Sequence, residues 1–270
     1  MYVTRPEENY CSCLGWKYQS VPVSERTCKH LNNKKKEQRQ YQRVRVPELM
    51  LLTKDMRYPR SGWYMSEKLD GVRGHWTGSQ MVTRNGVVVD IPDRIRDILP
   101  SDTKLDGELW AQNTPLHVIV KKIQLREEDW DDDIDFYAFD IAYSHLTFDH
   151  VYAELLNMLG EEHVIPQTKL DNVAHIEDYV MQIHEKGGEG LVLRDPKGKY
   201  TVGRSRSVVK VKPVLESTAV YVGDGVFREM VDDGPTFKMK REDIDVGSVV
   251  DFRYCGRTST GKPEHPQISR

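Results

Sequence analysis

Apolar residues in this chain of 270 residues come mostly in short alternating runs broken by turn formers. Such alternation, enriched in β-branched residues, is the mark of half-buried strands. It predicts strands over 63–69, 72–76, 81–83, 87–89, 104–110 and 136–141, and again over 190–194 and 208–212. The "RNG" of 84–86 and the Asp70–Gly71 pair both read as hairpin turns. Helical spacing predicts 92–99, 115–125 with Thr114 as cap, 151–159, and 173–186 ended by Gly187. After Pro213 only short strands follow, at 218–222, 236–239 and 249–254. A tail of roughly 55 residues built this way suits a small barrel. The fold class predicted is therefore α+β, a strand-rich body followed by a compact β domain.

The first 45 residues are of another kind. "CSCLGWKYQSVPVSERTCKH" brings Cys11, Cys13, Cys28 and His30 into one segment that has few aliphatic residues for a core. Three thiolates and an imidazole make a tetrahedral zinc shell, and a segment this poor in apolar residues needs a staple. A disulfide is the other staple, and ordinary free thiols are the plain alternative. Cys255, alone and distant, reads as a half-buried strand residue. No apolar run approaches a membrane span, and the first residues lack an apolar leader core. The expected setting is therefore inside a cell and away from membranes, where thiols stay reduced and a disulfide is disfavoured.

The net charge of −3 hides an uneven distribution. From Lys29 to Arg45 seven basic residues face one acid, Glu37, and from Lys186 to Lys212 eight face Glu189 and Asp195. Either tract alone reads as a solvated face. Two in one small protein favour a polyanionic partner, with Lys34, Lys35 and Lys36 as phosphate contacts. The acidic run "EEDWDDDID" reads as solvated, because adjacent carboxylates repel one another.

Chemistry concentrates around "EKLDGVRG" at 67–74. Lys68 and Arg73 flank one Asp-Gly turn, and a neighbouring cation depresses a lysine toward its nucleophilic neutral form. Such an amine suits attack on phosphorus. "LDGELW" offers Glu108 after a glycine that would let a ligand approach. "FYAFD" offers Phe139 for stacking on a base, and "KGGEGLVLRD" sets Glu189 where a hard cation could bind. "SVVKVKP" puts Lys210 and Lys212 on one strand face. Singly, each has a plain reading as a surface or core residue.

In this order the segments "EKLDGVRG", "LDGELW", "FYAFDIA", "GGEGLVLRDP" and "SVVKVKP" closely resemble the motifs of the covalent nucleotidyltransferases, most of all the ATP-dependent DNA ligases of minimal viral and bacterial type. The Cys-x-Cys and Cys-x-His pairs resemble a SWIM-type zinc finger. The resemblance implies a finger and basic linker over 1–45, a nucleotidyltransferase domain of antiparallel sheets and helices over 46–213, and an OB-fold over 214–270. It implies ATP with Mg2+ or Mn2+ as well as Zn2+. Lys68 would become adenylated, with Glu67, Arg73, Glu108, Phe139, Lys210 and Lys212 holding the nucleotide and Glu189 the metal. "TRNG" resembles a DNA-backbone element, which makes Arg84 a DNA contact. The expected partner is nicked duplex DNA, met by a monomer in repair, replication or recombination, with a protein docked on the finger as a further option. An RNA ligase, an mRNA-capping guanylyltransferase or a non-catalytic nucleic-acid-binding module are the alternative readings. The segment 261–270 resembles only the approach to the family's closing Arg-x-Asp-Lys motif.

Overall fold

A computed structural model describes residues 3–31, 42–124, 130, 133–240, 243–258 and 260–269. Lys34, Lys35 and Lys36 lie outside these residues, as do Leu125 and most of the acidic run. The chain forms two compact units, Met1–Arg45 with Gly86–Val88, and Val46–Asn85 with Val89–Arg270.

In the first unit, β1 (Thr4–Arg5) and β2 (Tyr10–Cys11) pair as an antiparallel hairpin, and the single-turn helix α1 (Leu14–Lys17) follows. Its core is small, consisting of Cys11, Cys13, Trp16 and Leu31 with Tyr10 and Cys28 against them. The Asn9 side chain donates to the carbonyls of Val23, Ser24 and Arg26, which ties the following loop to the hairpin. Four buried side chains are too few to hold such a segment by the hydrophobic effect alone.

The second unit begins with β3 (Met50–Thr53), β4 (Tyr64–Glu67), β5 (Val72–Trp76) and β6 (Met81–Thr83). After β7 (Val88–Val89) come the short helix α2 (Asp93–Arg96), β8 (Leu105–Trp110), α3 (Leu116–Lys122) and β9 (Asp135–Ile141). Next are α4 (Phe148–Leu159), β10 (Thr168–Lys169), α5 (Ile176–Glu185), β11 (Leu191–Arg194) and β12 (Gly203–Val211). They build two five-stranded sheets, in the orders β10-β4-β11-β12-β3 and β7-β6-β5-β8-β9. A third antiparallel sheet contains β13 (Leu215–Gly223), β14 (Val226–Glu229), β15 (Thr236–Lys238), β16 (Val249–Tyr254) and β17 (Gln267–Ile268), in the order β15-β14-β13-β16-β17. One pair departs from the antiparallel expectation, since β12 runs parallel to β3. No helix among the described residues is long and apolar enough to cross a membrane.

Strand alternation shows directly in β9, where Phe136, Ala138 and Asp140 are buried and Asp135, Tyr137 and Phe139 lie on the half-buried face. Helix α4 buries Phe148, Val151, Leu155 and Leu159, one stripe at helical spacing, in the same core as Leu105, Leu109 and Phe136. Each such side chain contributes about 1.5–3 kcal/mol on burial. A second cluster, Trp63, Leu170, Ile176, Leu193 and Val209, supports the other sheet. Asp140 is fully buried and pairs with Arg194, whose guanidinium lies 4.2 Å from the centroid of the Phe148 ring.

Asp70–Gly71 is not a hairpin turn. β4 belongs to one sheet and β5 to the other, so 68–71 is a crossing between sheets. A Cβ at Gly71 would run into the Leu109 carbonyl oxygen and the Glu108 side chain, which explains the glycine there. Gly107 likewise accommodates the protein, not a ligand, because a Cβ would strike the Phe136 ring.

Candidate active site

The crossing delivers Lys68 between the two sheets, with its backbone N–H donating to the Gly190 carbonyl at 2.8 Å. Its Nζ is paired with Glu189, whose other carboxylate oxygen is 2.8 Å from Lys212 Nζ. Burial works against the Glu189 charge, yet Lys68 and Lys212 hold its carboxyl below the ordinary value. Burial likewise opposes Lys212, and the bond to Glu189 raises it. Lys210 is pushed down by burial and then by the charges of Lys68, Lys54 and Lys212. Three lysines thus surround one glutamate.

Carboxylates converge on the same place. Burial pushes Glu108 up to about 7, against the attraction of Lys68 and Arg73. Burial and then the Glu189 charge raise Asp70. Asp70 and Glu108 thus feel the Glu189 charge, but no three carboxylates among the described residues come close enough together to form a ready-made metal site. Glu264, in the loop between β16 and β17, adds its charge near Asp70 and Lys212.

Arg73 stands differently from expectation. Because β5 lies in the opposite sheet, its guanidinium serves Asp106 at 2.7 Å and the Met50 carbonyl at 2.7 Å. The cations nearest Lys68 come instead from β12 and its end. Phe139 lies under this guanidinium, 5.5 Å from the arginine carbon to the ring centroid. A cavity of about 420 Å³, reached by Glu67 and Leu69 on either side of Lys68 in sequence, is lined by Met65, Glu67 and Leu191 from one sheet and by Trp110 and Tyr137 from the other. Glu67 is raised by burial, with Lys186 acting against the shift. Phe139, Lys68 and Glu108 are not among the lining residues, whereas Tyr137, on the same face of β9 as Phe139, is. Asp70, Asp106, Tyr137 and Tyr200 are the functional candidates that sequence reasoning passed over. Asp70 was masked by its resemblance to a turn residue, and the others carry no local signal. Arg84 sits exposed in the turn after β6.

In the first unit, one ligand atom from each of Cys11, Cys13, Cys28 and His30 lies within 4.8 Å of the others. Tetrahedral zinc with sulfur at about 2.3 Å requires sulfurs roughly 3.8 Å apart, so three thiols and an imidazole this close fit the ion. Burial pushes Cys11 up to about 11, while Cys28 is lowered, against its burial, by the Leu31 N–H and the neighbouring thiols. Cys255 is half-buried just beyond β16.

A lysine presented between two sheets, with a carboxylate and two further lysines around it, is an arrangement suited to attack on phosphorus. Residues 51–212 match the family model described as the ATP dependent DNA ligase domain. The chain belongs to the ATP-dependent DNA ligase family. It is 29% identical over 240 residues to a DNA ligase of Haemophilus influenzae, an alignment covering 80% of this chain and 89% of the relative. It also resembles a solved Lig E DNA ligase with a TM-score of 0.69 and 28% identity, covering 84% of this chain and 99% of that one. Chlorella virus DNA ligase-adenylate shares the fold at a TM-score of 0.53 and 18% identity, covering 84% of this chain and 98% of the other.

Proposed function

We propose that the protein seals nicks in duplex DNA with ATP through a lysyl-AMP at Lys68. The observation that carries this is the placement of Lys68 on the inter-sheet crossing against Glu189, Lys210 and Lys212. Lys68 Nζ, once released from Glu189 and relieved of a proton, attacks the α-phosphorus. An N–P bond forms and pyrophosphate departs. Transfer of the adenylate to a 5′-phosphate restores the lysine, and attack by the 3′-hydroxyl expels AMP. Lys210 and Lys212 screen the α-phosphate, Arg73 and Glu108 hold the ribose and phosphate, and Glu67 borders the base. Phe139 offers an aromatic face, and Tyr137 adds a second on the same side of β9. Mg2+ or Mn2+, held by Glu189, would neutralise charge developing on the phosphates. Arg84 contacts the DNA backbone.

The same reading takes 1–45 as a zinc-binding SWIM-type module, 46–213 as the nucleotidyltransferase domain, and the sheet of 214–270 as an OB-fold. Incubation with α-labelled ATP and a divalent metal should leave a covalent label, stable in alkali and released by acid as a lysyl phosphoramidate is, that Lys68→Ala abolishes. Label from GTP but not ATP would reassign the protein to the capping branch.

A further inference from the structure

A closed ring of hydrogen bonds lies behind Arg73. The Met50 N–H donates to the Tyr200 hydroxyl at 3.1 Å, and that hydroxyl donates to Asp106 Oδ2 at 2.6 Å. Arg73 Nη2 donates to the same oxygen at 2.7 Å, and Arg73 Nη1 closes the ring on the Met50 carbonyl at 2.7 Å. The ring joins β3 and the approach to β12, in one sheet, to β5 and β8 in the other. It therefore spans the two walls between which Lys68 sits. Asp106 is fully buried, so its two donors are held by a charge with little water to compete.

The surroundings hold the phenol in place. Tyr143 takes a left-handed backbone conformation, φ 63°, uncommon for an aromatic residue. From there its ring packs 5.3 Å from Tyr200 and edge-on to the buried His75 at 6.1 Å. His75 Nδ1 lies 3.4 Å from the other oxygen of Asp106. Arg73 Nε is buried with no hydrogen-bond partner among the described residues. The guanidinium is thus fixed by two of its nitrogens and keeps a third donor uncommitted.

We propose that Tyr200 is a positioning residue for self-adenylation, acting through Asp106 to fix the guanidinium of Arg73 against the nucleotide. This rests on the reading of Arg73 as a nucleotide contact. Without the phenol, Asp106 keeps its charge but loses the bond that sets its rotamer, and the arginine loses its registration to the β3 wall. Misplacement of a contact to the reacting group lowers the rate more than it lowers ground-state binding.

The test is single-turnover adenylation of the full chain with labelled ATP and magnesium, over an ATP titration, for wild type, Tyr200→Phe, Arg73→Lys and the double variant. Tyr200→Phe is expected to lower the rate at saturating ATP about tenfold and to shift half-saturation less than about twofold. In the Arg73→Lys background the same change should cost less than about twofold, since a residue acting through Arg73 has nothing left to position. Asp106→Asn, which keeps an acceptor without the charge, should show the same dependence on Arg73 and serves if Tyr200→Phe melts early. Equal losses in both backgrounds, or a loss confined to ATP half-saturation, would overturn the proposal alone. An Arg73→Lys variant with the wild-type rate and affinity would overturn the role of Arg73, and the proposal with it.

Discussion

Glu189 is where the residue-scale chemistry balances. It pairs Lys68 and Lys212 at once, so its loss leaves two half-buried cations without their partner as well as removing the proposed metal ligand. Glu189→Gln should cut the adenylation rate about a hundredfold while changing ATP half-saturation only a few-fold, because a metal acts mainly on charge developing in the transition state. Normal rates across a magnesium titration would sink that role. Glu108 gives a pH signature. Its folded value of about 7 lies above the ordinary 4.5, so burial disfavours the charged form. A carboxyl raised in this way keeps its full stability below about pH 4.5 and loses it as pH rises through about 7. The loss at pH 8 is at most about 3 kcal/mol. Glu108→Gln should therefore melt like wild type at pH 4 and above it at pH 8, and a gap that does not widen with pH would refute the burial argument. Lys68, Glu189, Lys210 and Lys212, which the structure brings together, were legible in the sequence because their segments follow one another in the order of the family they resemble. The partner of Arg73 was not, since Asp106 lies 33 residues away on a neighbouring strand and Tyr200 further still.

At the scale of elements, the decisive feature is the crossing at 68–71. A hairpin and an inter-sheet crossing use the same Asp-Gly chemistry, and only non-local pairing tells them apart, which is why the sequence reading chose the hairpin. Strands 72–76, 81–83 and 249–254 were read with their observed bounds, although burial alternates only in 249–254, where Phe252 and Tyr254 point inward. β3 escaped because "MLLT" does not alternate, and β14 because it is a four-residue strand between turns. Helix α4 begins at Phe148, earlier than the periodicity suggested, because Thr147 precedes it as the N-cap residue. The crossing is testable through Gly71, where a Cβ would meet a backbone carbonyl that no side-chain rotation can move. Gly71→Ala should cost about 1–3 kcal/mol in urea unfolding at unchanged slope, and should slow adenylation with it. Gly15→Ala, where a Cβ would find open space, should leave stability unchanged or slightly higher. Equal stabilities for wild type and Gly71→Ala would contradict the close approach.

For the whole molecule, the question is what the first unit adds to a ligase body that already holds every residue placed around Lys68. Among its described residues the first unit has a buried apolar cluster of only Cys11, Cys13, Trp16 and Leu31, and three of the candidate ligands are part of or packed against it. Its order should therefore depend on zinc, which supplies folding free energy that the apolar side chains do not. Metal analysis should find one zinc per chain, lost in Cys28→Ala. Lys29 is exposed beside the ligand set, and the basic run with Lys34, Lys35, Lys36 and Arg39 follows it in sequence. If those side chains neutralise phosphates, each contact adds roughly 0.9 to the slope of log affinity against log salt. Cys28→Ala should then leave adenylation of Lys68 within about twofold of wild type, because a unit that serves the duplex has no part in the first chemical step. Its binding to nicked duplex should weaken most at low salt and follow a shallower salt slope, since fewer counterions are released. A salt-titrated binding assay decides between duplex and protein as the partner of this unit. Equal affinities and equal slopes for wild type and Cys28→Ala would remove DNA from its role and leave a protein partner as the reason the chain carries it.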